Sequence, residues 1–134
     1  MPALSAWAML ASVIRFLLVC IAGGLGTGAR YLFGTGAQRL VGGAFPYGTL
    51  GVNLIGSFLI VVIMQMGLVK GAISPDVRVI LTTGAMGGFT TYSAFNYETV
   101  QYFRTGASGL ALLYVAVTLI GCLLAAALGF AVTR

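Results

Sequence analysis

Gly84-Ala-Met-Gly-Gly-Phe-Thr-Thr-Tyr-Ser-Ala-Phe95 lies halfway along an apolar segment running from Val77 to Phe103. A Gly-Gly pair followed by a run of hydroxyl and aromatic residues sits where a membrane-crossing helix should be continuous. The stretch reads as a broken helix. A break frees carbonyls of the first half and N–H groups of the second, and hydrocarbon satisfies neither. The break therefore has to sit inside protein, against an ion or a wet path.

The composition around it fits a membrane protein. The 134 residues are 60% hydrophobic and 7% charged, and mean hydropathy is +1.06, which excludes an ordinary soluble core. Four spans, residues 12–33, 47–69, 77–103 and 109–132, predict a single all-α transmembrane domain in the lipid bilayer, its third helix broken mid-membrane. The net charge of +5 comes from seven basic residues scattered near helix ends; with no basic patch, a nucleic-acid partner is not expected. Histidine is absent and the two cysteines, Cys20 and Cys122, lack zinc spacing.

Residues 1–14 read as an extension or interfacial lead into the first span, since Arg15 falls between them and the strongly apolar Phe16–Ala22. Gly23-Gly-Leu-Gly-Thr-Gly-Ala-Arg-Tyr31 contains GxG spacing, yet a phosphate loop needs a preceding strand. Gly24 with Gly28, or Ala22 with Gly26, reads instead as a helix-packing seam. Arg30 either snorkels to headgroups or lines an aqueous vestibule.

Gln38 to Pro46 reads as a connection. In the second span Thr49, Asn53 and Gly56 or Ser57 share a helical face, and Asn53 has two readings: an interhelical hydrogen bond, or an amide turned to a permeating ion. Ser74-Pro75-Asp76 is a helix start. Glu98 pairs at the interface or stands at a pore mouth. In the fourth span Tyr114, Thr118 and Cys122 form a mildly polar line beside a small-residue seam of Gly121, Ala125 and Gly129.

Asp76 and Glu98 are the only acids, so no paired carboxylates and no nucleophile with a base exist, and an enzyme is not expected. Neutral donors and aromatic edges remain: Asn53, Thr49, Thr90, Thr91, Tyr92, Ser93, Phe95, Tyr114 and Thr118. Such a set suits a small anion better than a cation, whose path would show carboxylates or carbonyl rings. Tyr92 and Phe95, three apart, can turn positive ring edges to an anion or simply pack.

With four spans the termini share one side. Arg15, Lys70, Arg78 and Arg134 then face Arg30, Arg39 and Arg104 across the membrane, a balance that gives the positive-inside rule nothing to act on. Insertion both ways permits an antiparallel two-fold dimer. In such a dimer the carbonyls released near Gly87 and Thr90 occur twice about one axis, suited to a buried monovalent cation.

Three segments, Gly23–Tyr31, Gly48-Thr-Leu-Gly-Val-Asn-Leu-Ile-Gly-Ser-Phe58 and Gly84–Phe95, resemble in their order the Fluc (CrcB) fluoride channels of bacteria. The resemblance implies a dual-topology antiparallel homodimer in the bacterial cytoplasmic (inner) membrane, with two passive pores exporting fluoride. It also implies a structural sodium ion on the carbonyls of Gly87 and Thr90. The family's pore asparagine falls on Asn53 and its two pore aromatics on Tyr92 and Phe95; its polar track falls on Thr49, Ser93, Tyr114 and Thr118. Tyr92 replaces a usual Phe, Ala94 a small hydroxyl residue, and Cys122 stands near a frequent hydroxyl. Two rivals remain: a small multidrug-type antiporter, which wants a deep glutamate that the first span lacks, and a non-conducting scaffold subunit.

Overall fold

The computed structural model describes residues 2–43 and 45–134, with side chains from residue 6 onward; Met1 and Ala44 lie outside the described residues. Helix α1 covers Pro2–Val41, α2 Tyr47–Leu68, α3 Pro75–Val79, a π-helical segment Ile80–Met86, α4 Gly87–Phe89, α5 Tyr92–Arg104 and α6 Ser108–Val132. Among the described residues there is no strand. Three helices are long and apolar enough to cross a membrane, within Ala6–Val41, Tyr47–Leu68 and Ser108–Val132. The expected third span is the composite of α3, the π segment, α4 and α5.

Helix α1 is longer than its sequence suggests. Its 40 residues rise about 60 Å at 1.5 Å each, twice a hydrocarbon core of roughly 30 Å. The lead expected before the first span is helical from Pro2, and the far end continues to Val41 before Gly42 and Gly43 stop it at φ 63° and 80°. Left-handed backbone there favours glycine. The connection expected from Gln38 therefore shortens, and the Gly42 N–H closes on the Gln38 carbonyl at 3.0 Å.

At the other end of the bundle, Ser74 caps α3 by accepting the Val77 N–H at 3.4 Å, with Pro75 at the first helical position. Asp76 in that first turn receives Arg15 of α1 at 2.8 Å. This exposed pair is worth little energy, but it puts Arg15 at the end of the molecule where α3 begins.

Packing is by backbone approach. A Cβ on Gly26 would collide with the Ala85 carbonyl, one on Gly88 with the Gly23 carbonyl, and one on Gly84 would lie 2.8 Å from the Val19 carbonyl. Helix α1 and the π segment with α4 thus touch main chain to main chain, which only glycine permits. Of the two expected seams, Ala22 with Gly26 is the packed one, Ala22 against Gly84 and Gly26 against Ala85, with Gly23 on the same face; Gly24 and Gly28 have open space around them. On α6, Gly121 faces Leu54 of α2, and Gly129 faces Phe58 and Val61.

Candidate functional site

The third crossing unwinds at two residues. Thr90 and Thr91 are extended, with φ/ψ of −86°/160° and −152°/113°, while Gly87 keeps helical angles of −60°/−37°. The break lies just past the Gly-Gly pair rather than on it. Those glycines serve the close approach to α1; the β-branched threonines, poorer helix formers, take the extended backbone. The π-helical segment ahead of the break had no signal in the periodicity.

Neighbouring helices supply the partners the break needs. Asn53 of α2 donates from Nδ2 to the Thr91 carbonyl at 3.0 Å and accepts the Thr91 N–H on Oδ1 at 2.8 Å. Thr91 then caps α5, its hydroxyl accepting the Ala94 N–H at 3.2 Å. From α1, Arg30 Nη1 donates to the Thr90 carbonyl at 3.1 Å and the Thr27 hydroxyl to that of Gly88 at 3.5 Å. Residues 27 and 30 share a helical face, so one turn of α1 serves two loosened carbonyls. That use of Arg30 was not legible in sequence, since nothing local pairs it with Thr90.

Cavities open beside the break and along α5. One, of about 520 Å³, is lined by Asn53, Ser57, Thr90, Tyr92, Phe95, Thr118 and Cys122 among others. A second, about 310 Å³, holds Arg30, Thr49, Thr91 and Ser93; a third of similar volume holds Glu98 with Gln101 and Tyr102. Within one chain the expected residues are therefore distributed. Asn53, Tyr92, Phe95 and Thr118 meet in the first cavity, Arg30, Thr49 and Ser93 in the second.

Glu98 joins the groups. It accepts the Thr49 hydroxyl at 2.8 Å and the Tyr114 hydroxyl at 2.7 Å, tying α2, α5 and α6 at one carboxylate. Tyr114 is fully buried, its ring edge-on to Phe95, Phe45 and Tyr102 with centroids at 5.2, 5.3 and 6.2 Å. The signal available in sequence was a lone carboxylate deep in a span, which requires donors. The donors come from spans two and four, and periodicity does not say which faces meet.

Two of the expected donors, Thr118 and Asn53, are not fully engaged among the described residues. The Thr118 Oγ is buried, 5% exposed, and has no hydrogen-bond partner among the described residues. The Asn53 carboxamide has two N–H groups, of which one bond, to Thr91, is formed. Tyr92 is 71% exposed although its ring lies 5.7 Å from that of Phe95. The cavity is walled mainly by apolar side chains, and the Asn53 amide lines it with no carboxylate among the lining residues.

The chain matches the family described as CrcB-like protein, Camphor Resistance (CrcB), over residues 17–130. A protein named "Fluoride-specific ion channel FluC" from Anaeromyxobacter sp. (strain K) is 52% identical over 112 residues, covering 84% of this chain and 89% of that relative. Proteins of the same name from Sorangium cellulosum and Thermus thermophilus are 47% and 44% identical, covering 90% and 88% of this chain and 94% and 92% of theirs. The extent of these matches leads to one conclusion: this multi-pass, all-helical chain belongs to the CrcB family.

Proposed function

We propose that the protein is a passive fluoride channel of the bacterial cytoplasmic membrane, not an enzyme, working as an antiparallel homodimer with two pores. The carrying observation is that Asn53, with a carboxamide N–H beyond its bond to Thr91, lines one cavity with Tyr92, Phe95 and Thr118, the last with a buried hydroxyl that has no partner among the described residues. A buried hydroxyl without a partner costs about 1–3 kcal/mol, a cost that a passing anion relieves. Relatives that share most of the chain's length carry the name of a fluoride channel.

Permeation follows from the donors. Fluoride gives up hydration water only where protons replace it. The Asn53 amide and Thr118 hydroxyl offer them on one side, and the ring edges of Tyr92 and Phe95 on the other. Thr49, Ser93 and Tyr114 extend the polar line. Glu98 holds the hydroxyl protons of Thr49 and Tyr114, so an anion nearing that level competes with a carboxylate for them. Glu98 and Arg30 accordingly set the local field at the vestibule level, one against the anion and one for it.

The second copy is argued from exposure and charge. Tyr92 is open on one side, as are Thr83 and Gly87, a face of polar backbone that lipid does not tolerate. The four-to-three balance of basic residues supports inverted insertion of the partner.

Sodium suits the same face. The Thr91 N–H, which in a continuous helix would close on the Gly87 carbonyl, goes to Asn53 instead, and Gly87 is exposed. Unwound carbonyls of this type coordinate sodium in membrane proteins. The Thr90 carbonyl already accepts Arg30, but its second lone pair remains. Two carbonyls from each of two copies would hold the ion, which supplies positive charge against the field of the paired helix ends.

The test is efflux from liposomes loaded with potassium fluoride. Fluoride released on adding a potassium ionophore, with no proton gradient, is the expected result. Transport that strictly requires a proton gradient and carries organic cations would overturn the reading in favour of an antiporter, and the absence of any flux in favour of a scaffold.

A further inference from the structure

Helix α1 overruns the bundle at its first end. Arg15 meets Asp76 at the start of α3 at 2.8 Å, and both side chains are open to solvent. From that level, residues 15–41 rise about 40 Å at 1.5 Å each, the thickness of a bilayer with its headgroups. Residues 2–14 continue as helix beyond it, although residues 1–14 carry no charged side chain. Trp7, Met9, Leu10, Val13 and Ile14 are between 49% and 71% exposed. At 3.6 residues per turn they fall on one half of the helix surface, leaving Ala8, Ala11 and Ser12 on the other. The single hydroxyl among residues 6–14 is engaged: Ser12 donates to the Ala8 carbonyl at 2.9 Å, a type of bond that often bends helices.

We infer that residues 6–14 are an uncharged interfacial anchor, turned out of the line of α1 near Ser12 so that the Trp7, Met9, Leu10, Val13 and Ile14 face lies in the bilayer surface. Five bulky apolar side chains on a segment projecting past the headgroups would otherwise stand in water, at the full cost of their exposure. Lipid reaches them without interruption, because Phe16, Leu17 and Ile21, the next outward residues of α1, are equally exposed and belong to the membrane-facing surface. A second helix is the poorer occupant, since close helix contact in membranes favours small side chains. A helix lying in the interface buries its apolar face by about 5–10 Å, and tryptophan concentrates at that depth. With no Lys or Arg on the opposite face, attachment draws on apolar burial alone and gains nothing from anionic lipid.

Trp7 is the single tryptophan of the chain, so the fluorescence of the full-length protein reconstituted in liposomes reads this segment directly. The expected emission is blue-shifted from that of indole in water and weakly quenched by acrylamide supplied on both sides of the vesicle. Lipids brominated near the headgroup end of the acyl chain should quench it more than lipids brominated at the bilayer centre. Adding phosphatidylglycerol to phosphatidylcholine vesicles should change none of this. Leu10→Glu, on the bulky face, should move the emission to the red and admit acrylamide, whereas Ala11→Gln, on the small face, should leave both as they were. Quenching by acrylamide as strong as for free tryptophan would place the segment in water and overturn the inference. Protection from both acrylamide and brominated lipid would overturn it in favour of a second copy, and strongest quenching from the bilayer centre in favour of a deeper span. Dependence on anionic lipid, or an equal response of the two variants, would also contradict an uncharged, one-faced anchor.

Discussion

Asn53 and Thr91 are joined twice: the carboxamide N–H meets the Thr91 carbonyl at 3.0 Å and the Thr91 N–H meets the carboxamide oxygen at 2.8 Å. One side chain of α2 thus stands in for the carbonyl that the break takes from the Thr91 N–H, and adds a second donor to the Thr91 carbonyl, which as the α5 N-cap already accepts the first helical bond. The same amide borders the cavity of about 520 Å³, so the group that holds the break open also forms part of the wall an ion would pass.

Replacing Asn53 with Leu, close in size, removes both bonds and leaves the Thr91 N–H unsatisfied. We expect fluoride efflux to fall to the level of empty liposomes and stability to drop by about 1–3 kcal/mol, with folded protein still recovered in detergent in the parent's oligomeric state. Size-exclusion chromatography and a fluoride electrode measure the two effects separately, and normal flux would contradict the assignment of Asn53 to the pathway.

Thr118→Val separates function from packing. Because the Thr118 hydroxyl has no partner among the described residues, an apolar side chain of equal shape should leave stability unchanged or raise it slightly. Efflux should nevertheless slow by roughly tenfold, the equivalent of about 1.4 kcal/mol. A stability loss with unchanged flux would mean that the hydroxyl has an unseen structural role and no contact with the ion.

Tyr114→Phe keeps the ring among Phe45, Phe95 and Tyr102 and deletes its bond to Glu98 at 2.7 Å. Hydrogen bonds to charged groups contribute about 1.5–3 kcal/mol, so a thermal-shift assay should register clear destabilisation. Glu98→Gln should behave similarly, because an amide oxygen accepts one of the two hydroxyls well while its NH₂ cannot accept the other. Equal stability of both variants to the parent would show that the three-helix tie carries no weight.

For the helix contacts, Gly26→Ala and Gly88→Ala each place a methyl against a backbone carbonyl. Backbone cannot move aside cheaply, and a loss of at least about 1–3 kcal/mol is expected, seen as aggregation on gel filtration. Gly24→Ala and Gly28→Ala, with open space at both sites, are the matched controls and should purify like the parent. Aggregation of the controls as well would point to these residues as part of an interface with a second copy.

The sequence alone determined the solvent and the weakness. A chain that is 60% hydrophobic and 7% charged has nowhere to fold but lipid, and Gly87 to Ser93 cannot be an uninterrupted, lipid-facing helix at low cost. Both conclusions depend on composition and local propensity, which are properties of neighbours in the chain. The tertiary structure decided what the weakness is used for. The small-residue spacing left two seams open, and contact with the π segment, which sets the rotation of α1, selects the face of Ala22, Gly23 and Gly26 over that of Gly24 and Gly28. Arg30 with Thr90, 60 residues apart, and Thr49 with Glu98, 49 apart, are pairings that no local pattern encodes. They exist because buried polar groups in a low-dielectric interior must find partners, and only the assembled helices bring those partners within reach.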